Sequence, residues 1–162
     1  MLVEVDVLPP TQDALPPLLD ELHAYWVALK GDRWAPTWAE FHLPSLKPHL
    51  IPNVLVMDVI PSPLDFVYRF WGTANTVNLG YDLTGKSVWA NVMFGEKVFN
   101  ECRRIVEERR PLVFASRVTR PDGLRREYER IRLPVSNDGE NVTQIVSTVY
   151  LEEKLSDIFA ED

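Results

Sequence analysis

Residues 80 to 87 read "GYDLTGKS". Gly80, Gly85, Lys86 and Ser87 satisfy G-x-x-x-x-G-K-[ST], the pattern of a loop that cradles nucleotide phosphates. Such a loop works because a buried parallel strand delivers the glycine turn into a helix N-terminus, whose N–H groups and dipole surround the anion. The flanks decide whether that context exists. Upstream, "TANTVNL" (residues 73 to 79) separates the turn from a strand pattern that already ends at Gly72, and Asp82 stands inside the turn where it would repel a phosphate. Downstream, "VWANVMFG" (88 to 95) holds back the next helix until near Gly95, and the acidic strand "VLVMD" (54 to 58) lies on the wrong side of the motif. The stretch therefore reads as a turn. Gly72 lets a strand bend sharply, and Gly80 and Gly85 bracket a turn in which Asp82 and Thr84 bond nearby main chain.

Outward from this turn the chain alternates in an antiparallel manner. "NVLVMDVI" (53 to 60) and "DFVYRFWG" (65 to 72) read as a strand pair, and "LVFASRVTR" (112 to 120), "REYERIRLPVS" (126 to 136) and "TQIVSTVYLE" (143 to 152) as three more. The last three are joined by the turn segments "PDGL" and "NDGEN". Between the two groups, Val98, Phe99, Cys102, Ile105 and Val106 form a helical stripe that Pro111 stops. Before the first strand, "ALPPLLDELHAYWVALKGDR" (14 to 33) is an amphipathic helix with Leu15, Leu18, Leu19, Leu22, Tyr25, Trp26 and Leu29 on one stripe. Its prolines suit a first turn and Gly31 suits the position just past the end. "WAPTWAEFHLPSLKPHLIP" (34 to 52) permits only short helical turns. The expected organisation is an N-terminal helical extension over 1–52, a core over 53–152 and a tail over 153–162.

With 162 residues, 46% hydrophobic and 25% charged, the composition is that of one globular domain. No run approaches the roughly 18 apolar residues of a membrane span, and "MLVEVDVLPP" carries acids where a signal peptide carries bases; a cytoplasmic location is expected. One cysteine, Cys102, and three scattered histidines offer neither a disulfide nor a metal site. Residues 103 to 132 hold ten arginines against five acids, yet the net charge is −7. In "RREYERIR" the arginines alternate with glutamates, which suggests ion pairing on solvated faces rather than a nucleic-acid stripe.

The element order together with "DFVYRFWGTANTVNLGYDLTGKSV" and "YERIRLPVSNDGE" resembles the PAS superfamily, and more narrowly a bacterial single-domain PAS subfamily. Tyr68, Arg69, Gly72, Thr73, Gly80, Asp82, Leu83, Thr84 and Gly85 carry the match, with Tyr128, Glu129, Leu133 and Pro134 near the end; it runs from about Trp26 to Tyr150. The resemblance implies an α+β fold, a five-stranded antiparallel sheet with helices over one face and a pocket between them. It also implies a sensory or signalling module that binds a small ligand or a protein partner and acts in trans, without catalytic residues. The candidate ligand-binding residues are Arg69, Trp71, Trp89, Phe99, Cys102 and Glu129. "NECRRI" inserts Glu101 into the reactive-cysteine motif of flavin photoreceptors, and the histidines all precede the first strand, so neither flavin nor haem is expected. The N-terminal helix is the expected homodimer contact. A non-sensory partner-binding or dimerisation protein is the alternative from another class, and a nucleotide-binding enzyme is the third.

Overall fold

A computed structural model describes residues 1–10, 15–151 and 155–159. Its elements in order are β1 (Leu2–Leu8), α1 (Pro17–Lys30), β2 (Val54–Pro61), β3 (Leu64–Trp71), α2 (Thr73–Leu79), α3 (Gly95–Glu108), β4 (Leu112–Thr119), β5 (Arg125–Val135), β6 (Gln144–Leu151) and α4 (Leu155–Ile158), with short 3-10 turns between α1 and β2 and before α3. The strands form one antiparallel sheet in the order β1-β4-β5-β6-β2-β3. No helix among the described residues is long and apolar enough to cross a membrane.

The five expected strands are all present, and a sixth joins them. β1 pairs along β4 from Leu2 opposite Thr119 to Leu8 opposite Val113, so residues 1–52 contribute an edge strand as well as helix. The alternation Val3-Glu4-Val5-Asp6-Val7 is a period-two pattern that carries this strand.

Helices cover both faces of the sheet, not one. Leu19, Leu22 and Trp26 of α1 pack with Val54, Val56, Val113, Ile131, Leu133, Val135 and Val146 on one face, closed by Phe41, Leu46 and Leu50 of the proline-rich segment. On the other face Cys102 and Ile105 of α3 pack with Met57, Phe66, Leu112, Phe114 and Ile145. The central strands require this arrangement, because β5 is buried without interruption from Arg130 to Val135 and β6 from Gln144 to Thr148. Strands buried on both sides lose the simple alternation of a half-solvated sheet. Of the α1 stripe expected as a dimer contact, Leu19, Leu22 and Trp26 are buried on the chain's own sheet, and Leu15, Leu18, Tyr25 and Leu29 are partly buried beside them.

Trp26 also explains how a proline fits β5. β4 ends at Leu112, opposite Arg132, so Pro134 faces no strand on that side and its missing N–H leaves no gap in the ladder. Its carbonyl instead accepts the Trp26 indole N–H at 2.7 Å.

The glycine motif lies along the outer edge of β3. α2 ends in Gly80 at φ 83°, and the Asp82 carboxylate accepts the Thr84 amide at 2.8 Å. The Gly85 N–H donates to the Tyr68 carbonyl at 2.7 Å and the Tyr68 N–H to the Lys86 carbonyl at 3.0 Å. Ser87 bridges Val67 and donates to Asp65 at 2.9 Å. A 3-10 turn, Val88–Ala90, follows, and α3 opens only at Gly95. The Gly80, Thr84, Gly85 and Lys86 amides thus already have acceptors in Thr76, Asp82, Tyr68 and Leu83.

Candidate ligand cavity

Period two in β5 places Tyr128, Arg130 and Arg132 on one face and Glu129, Ile131 and Leu133 on the other. The first set points beneath α3. There Glu101, on the helical stripe with Val98, Cys102 and Ile105, descends between the two arginines and is 6% exposed, while each arginine is 3% exposed. Arg130 Nε lies 3.0 and 3.1 Å from the two Glu101 oxygens, and its Nη2 makes a still shorter contact to Oε1. Arg132 Nε donates to Glu101 Oε2 at 2.8 Å and its Nη1 to Ser147 Oγ at 3.2 Å. Arg130 Nη1 donates to Ser116 Oγ at 2.8 Å.

Lys97, one helical turn before Glu101, joins the same cluster. Its ammonium donates to Ser116 Oγ at 2.8 Å and to the Tyr128 hydroxyl at 2.7 Å. Burial, and then the neighbouring Arg130 guanidinium, lowers its pKa to about 7. Burial by itself would raise the Glu101 carboxyl; the guanidiniums of Arg132 and Arg130 outweigh it and hold the group below the usual carboxylate range.

A cavity opens beside this cluster, between the sheet and the pair α2 and α3. About 60 Å³ of it is open to the centre of a water-sized sphere, several times what one water needs. Its floor is Leu55, Tyr68, Trp71, the three β5 side chains, Val149 and Leu151; its roof is Asn75, Asn78, Leu79, Asn91, Phe94, Lys97, Val98 and Glu101. Burial pushes the Tyr68 hydroxyl well above its ordinary pKa. At the mouth, Ile158 of α4 packs with Tyr128 and Val118, against Leu79, Phe94, Val149 and Leu151. Phe159 meets the Phe94 ring edge-on at 5.1 Å. Five cavity residues thus also hold the C-terminal helix. Behind the cluster a wider groove runs between β1 and α3, and Lys97 and Glu101 line both spaces.

Of the six sequence-expected site residues, Trp71 lines this cavity. Arg69 lies on the opposite face of the sheet, its Nε donating to Asp58 at 2.8 Å and its guanidinium 5.5 Å from the centre of the Trp38 ring. Glu129 shares that opposite face, in register with Ala115 and Tyr150. The β2–β3 register shifts between Val56 and Met57 and passes over Arg69, so Tyr68 and Trp71 both line the cavity; Arg69 is placed on the α1 side by its contacts with Asp58 and Trp38, and Glu129 by alternation from Arg130 along β5. Phe99 packs edge-on against Phe66 at 5.5 Å and Trp89 lies tilted against Phe99 at 5.0 Å, outside the cavity. Cys102 is fully buried with Sγ 3.7 Å from Met57 Sδ.

Lys97, Glu101, Arg130 and Arg132 were the residues missing from the expected set. Much of the surrounding charge is paired on the surface as the sequence suggested, including Arg104 with Glu108 at 2.8 Å and Arg117 with Glu127 at 2.9 Å. The arginines of "ERIR" are the exception, with side-chain exposures of 4%. The readable signal was a glutamate set into an apolar helical stripe. Among the described residues no three His, Cys, Asp or Glu side chains converge as a metal site.

No family model and no curated protein matches the chain. Among solved structures it is similar to a chain described as "Structure of an RNA-binding Light-Oxygen-Voltage Receptor", at 15% identity and a TM-score of 0.48, over 97% of this chain and 41% of that one. The chain spans less than half the length of that structural relative.

Proposed function

We propose that this chain is a PAS-like sensory module that binds a small molecule between its sheet and the α2–α3 pair and reports occupancy through its C-terminal helix to a partner in trans. The observation that carries the reading is the sharing of residues between cavity and α4: Leu79, Phe94, Tyr128, Val149 and Leu151 belong to both. A ligand that moves those side chains changes the surface on which Ile158 and Phe159 rest. Differential contact of this kind is what a ligand needs in order to shift a conformational equilibrium. The PAS reading itself is supported by the resemblance of residues 65 to 88 and 128 to 140 and by the antiparallel sheet with helices packed over the cavity face.

Native mass spectrometry of the freshly purified chain, with an absorption spectrum of the same sample, tests it. A reproducible extra mass lost on unfolding supports the reading. A bare chain that also fails to bind any member of a small-molecule library overturns it and favours a partner-binding protein. That second reading has one observation of its own: β1 is an outer strand with Leu2, Val3, Val5 and Leu8 exposed, the kind of edge to which another chain can add a strand.

A further inference from the structure

The cluster beside the cavity is unbalanced. Two guanidiniums share one carboxylate, and Lys97 adds a third basic group. Buried charge without a counter-charge is costly, and the remedy is an anion that brings its own. Resting on the reading of the cavity as a ligand site, we propose that its ligand is a small monocarboxylate with an apolar body, the carboxylate lying against Arg132 and Lys97 and the body against Trp71, Leu79 and Val98.

The chemistry of the walls selects this class. Arg132 commits Nε and Nη2 to Glu101 and one Nη1 hydrogen to Ser147, which leaves one hydrogen on each terminal nitrogen for a further acceptor, since the group carries five. A planar carboxylate matches that fork. Two guanidiniums against one carboxylate leave one net positive charge before Lys97 is counted, so an anion reduces the imbalance. A cation would add to the imbalance. A fully polar ligand would leave Leu55, Trp71, Leu79, Val98 and Val149 facing polar atoms. The small volume, about 60 Å³ by the measure given above, favours a short acid over a nucleotide.

Binding is coupled to a proton. Facing Lys97 are Ser116 from β4, Tyr128, Arg130 and Arg132 from β5, and Glu101 from its own helix, while β1 presents only Val5 and Val7 to the groove behind it. The basic neighbours and burial leave the amine readily deprotonated near neutral pH. A carboxylate placed against it restores the proton, so the complex takes up a fraction of a proton from solvent at pH 7.5 to 8.

The test is titration calorimetry of the full chain with benzoate, hexanoate, benzamide and benzylamine, in two buffers of different ionisation enthalpy. Benzoate or hexanoate is expected to bind, benzamide and benzylamine to bind roughly tenfold to a hundredfold more weakly or not at all, and the heat to differ between buffers as proton uptake requires. Arg132→Gln is the direct variant but removes a buried partner of Glu101. Lys97→Met, at the partly open rim, is the second; it is expected to keep the fold by circular dichroism, weaken the acid roughly tenfold and abolish the buffer dependence. Benzamide binding as tightly as benzoate, or a native occupant that is neutral or cationic, overturns the anion assignment and leaves the cavity reading standing. No binding by any probe, with a bare chain in native mass spectrometry, overturns both.

Discussion

The carboxylate of Glu101 on α3 receives Arg132 Nε of β5 at 2.8 Å in the interior of the domain, with Arg130 on its other flank. This links the helix that roofs the cavity to the strand that floors it. Breaking a buried pair by removing one partner leaves the other charge uncompensated, and here one removal strands two guanidiniums. Glu101→Gln is expected to lower unfolding stability by about 3 to 5 kcal/mol. Replacing the carboxylate and both guanidiniums with Glu101→Leu, Arg130→Met and Arg132→Met is expected to cost less than the single change, because no guanidinium is then left buried without its carboxylate. Urea unfolding of the two variants decides it; a triple variant less stable than Glu101→Gln would mean the cluster is a net source of stability.

Lys97 predicts a pH dependence with a definite sign. Its pKa is about 7 in the folded chain against 10.5 for an ordinary lysine, so between those values the unfolded chain holds the proton that the folded chain has released. Stability contributed by this group therefore rises with pH across the window from about 7 to 10.5. Below pH 7 both states are protonated and the cost of burying the charge is felt in full. Lys97→Met is expected to flatten the curve, gaining on the wild type most at pH 6.5 and least at pH 10. Denaturant midpoints at pH 6.5, 8 and 9.5 measure it, and parallel curves for the two proteins would show that Lys97 keeps its proton throughout.

How far the sequence could be read follows from where its patterns are pure. The five core strands and both long helices were legible because short runs rich in β-branched residues such as "NVLVMDVI" and "TQIVSTVYLE", and the 3.6-residue stripes of α1 and α3, are bounded by turn residues and helix stops. β1 was equally plain in "VEVDV" but lies beside a proline-rich segment and was weighed only as a targeting signal. The site was harder. "RREYERIR" has one periodicity whether its arginines meet solvent or a carboxylate, and the difference is made by Glu101, some thirty residues away on another element. Arg69 and Glu129 drew attention as charges on strands, yet the β2–β3 register shift that passes over Arg69 and the alternation along β5 leave both on the α1 face. Only the registration of β5 against α3 separates the two cases, and no local pattern encodes it.

Gly72 and Gly80 belong to the same stretch but answer to different constraints. A Cβ on Gly72 would stand 2.2 Å from the Pro52 carbonyl oxygen and 2.7 Å from that of Ile51, both backbone atoms. Gly80 has nothing within 4 Å of such an atom but holds φ at +83°. Gly72→Ala is expected to cost about 3 kcal/mol or more, since main chain must move. Gly80→Ala is expected to cost about 1 to 2 kcal/mol, the penalty of a left-handed residue. Lys86, exposed and hydrogen-bonded through its main chain, is expected to tolerate alanine within about 0.5 kcal/mol. Thermal unfolding of the three variants ranks them. A large loss at Lys86, or nucleotide binding that Lys86→Ala abolishes, would restore the phosphate-loop reading.

Cys102 is expected to behave as a small hydrophobe. Its side chain is wholly inaccessible and contacts Met57 across the interface of α3 and β2, and burial pushes the thiol pKa up to about 12. The reactive species is the thiolate, so native chain at pH 8 is expected to react with a disulfide reagent only as fast as it opens. The rate should rise to that of an unhindered thiol in strong denaturant, and Cys102→Ala should keep the fold. Benzoate, if it fills the cavity, is expected to slow the native reaction further by the factor by which it stabilises the closed form. Rapid stoichiometric labelling of the native chain would instead place Cys102 on a surface open to solvent, and α3 would then have to lie differently on the sheet, taking Glu101 away from its two arginines.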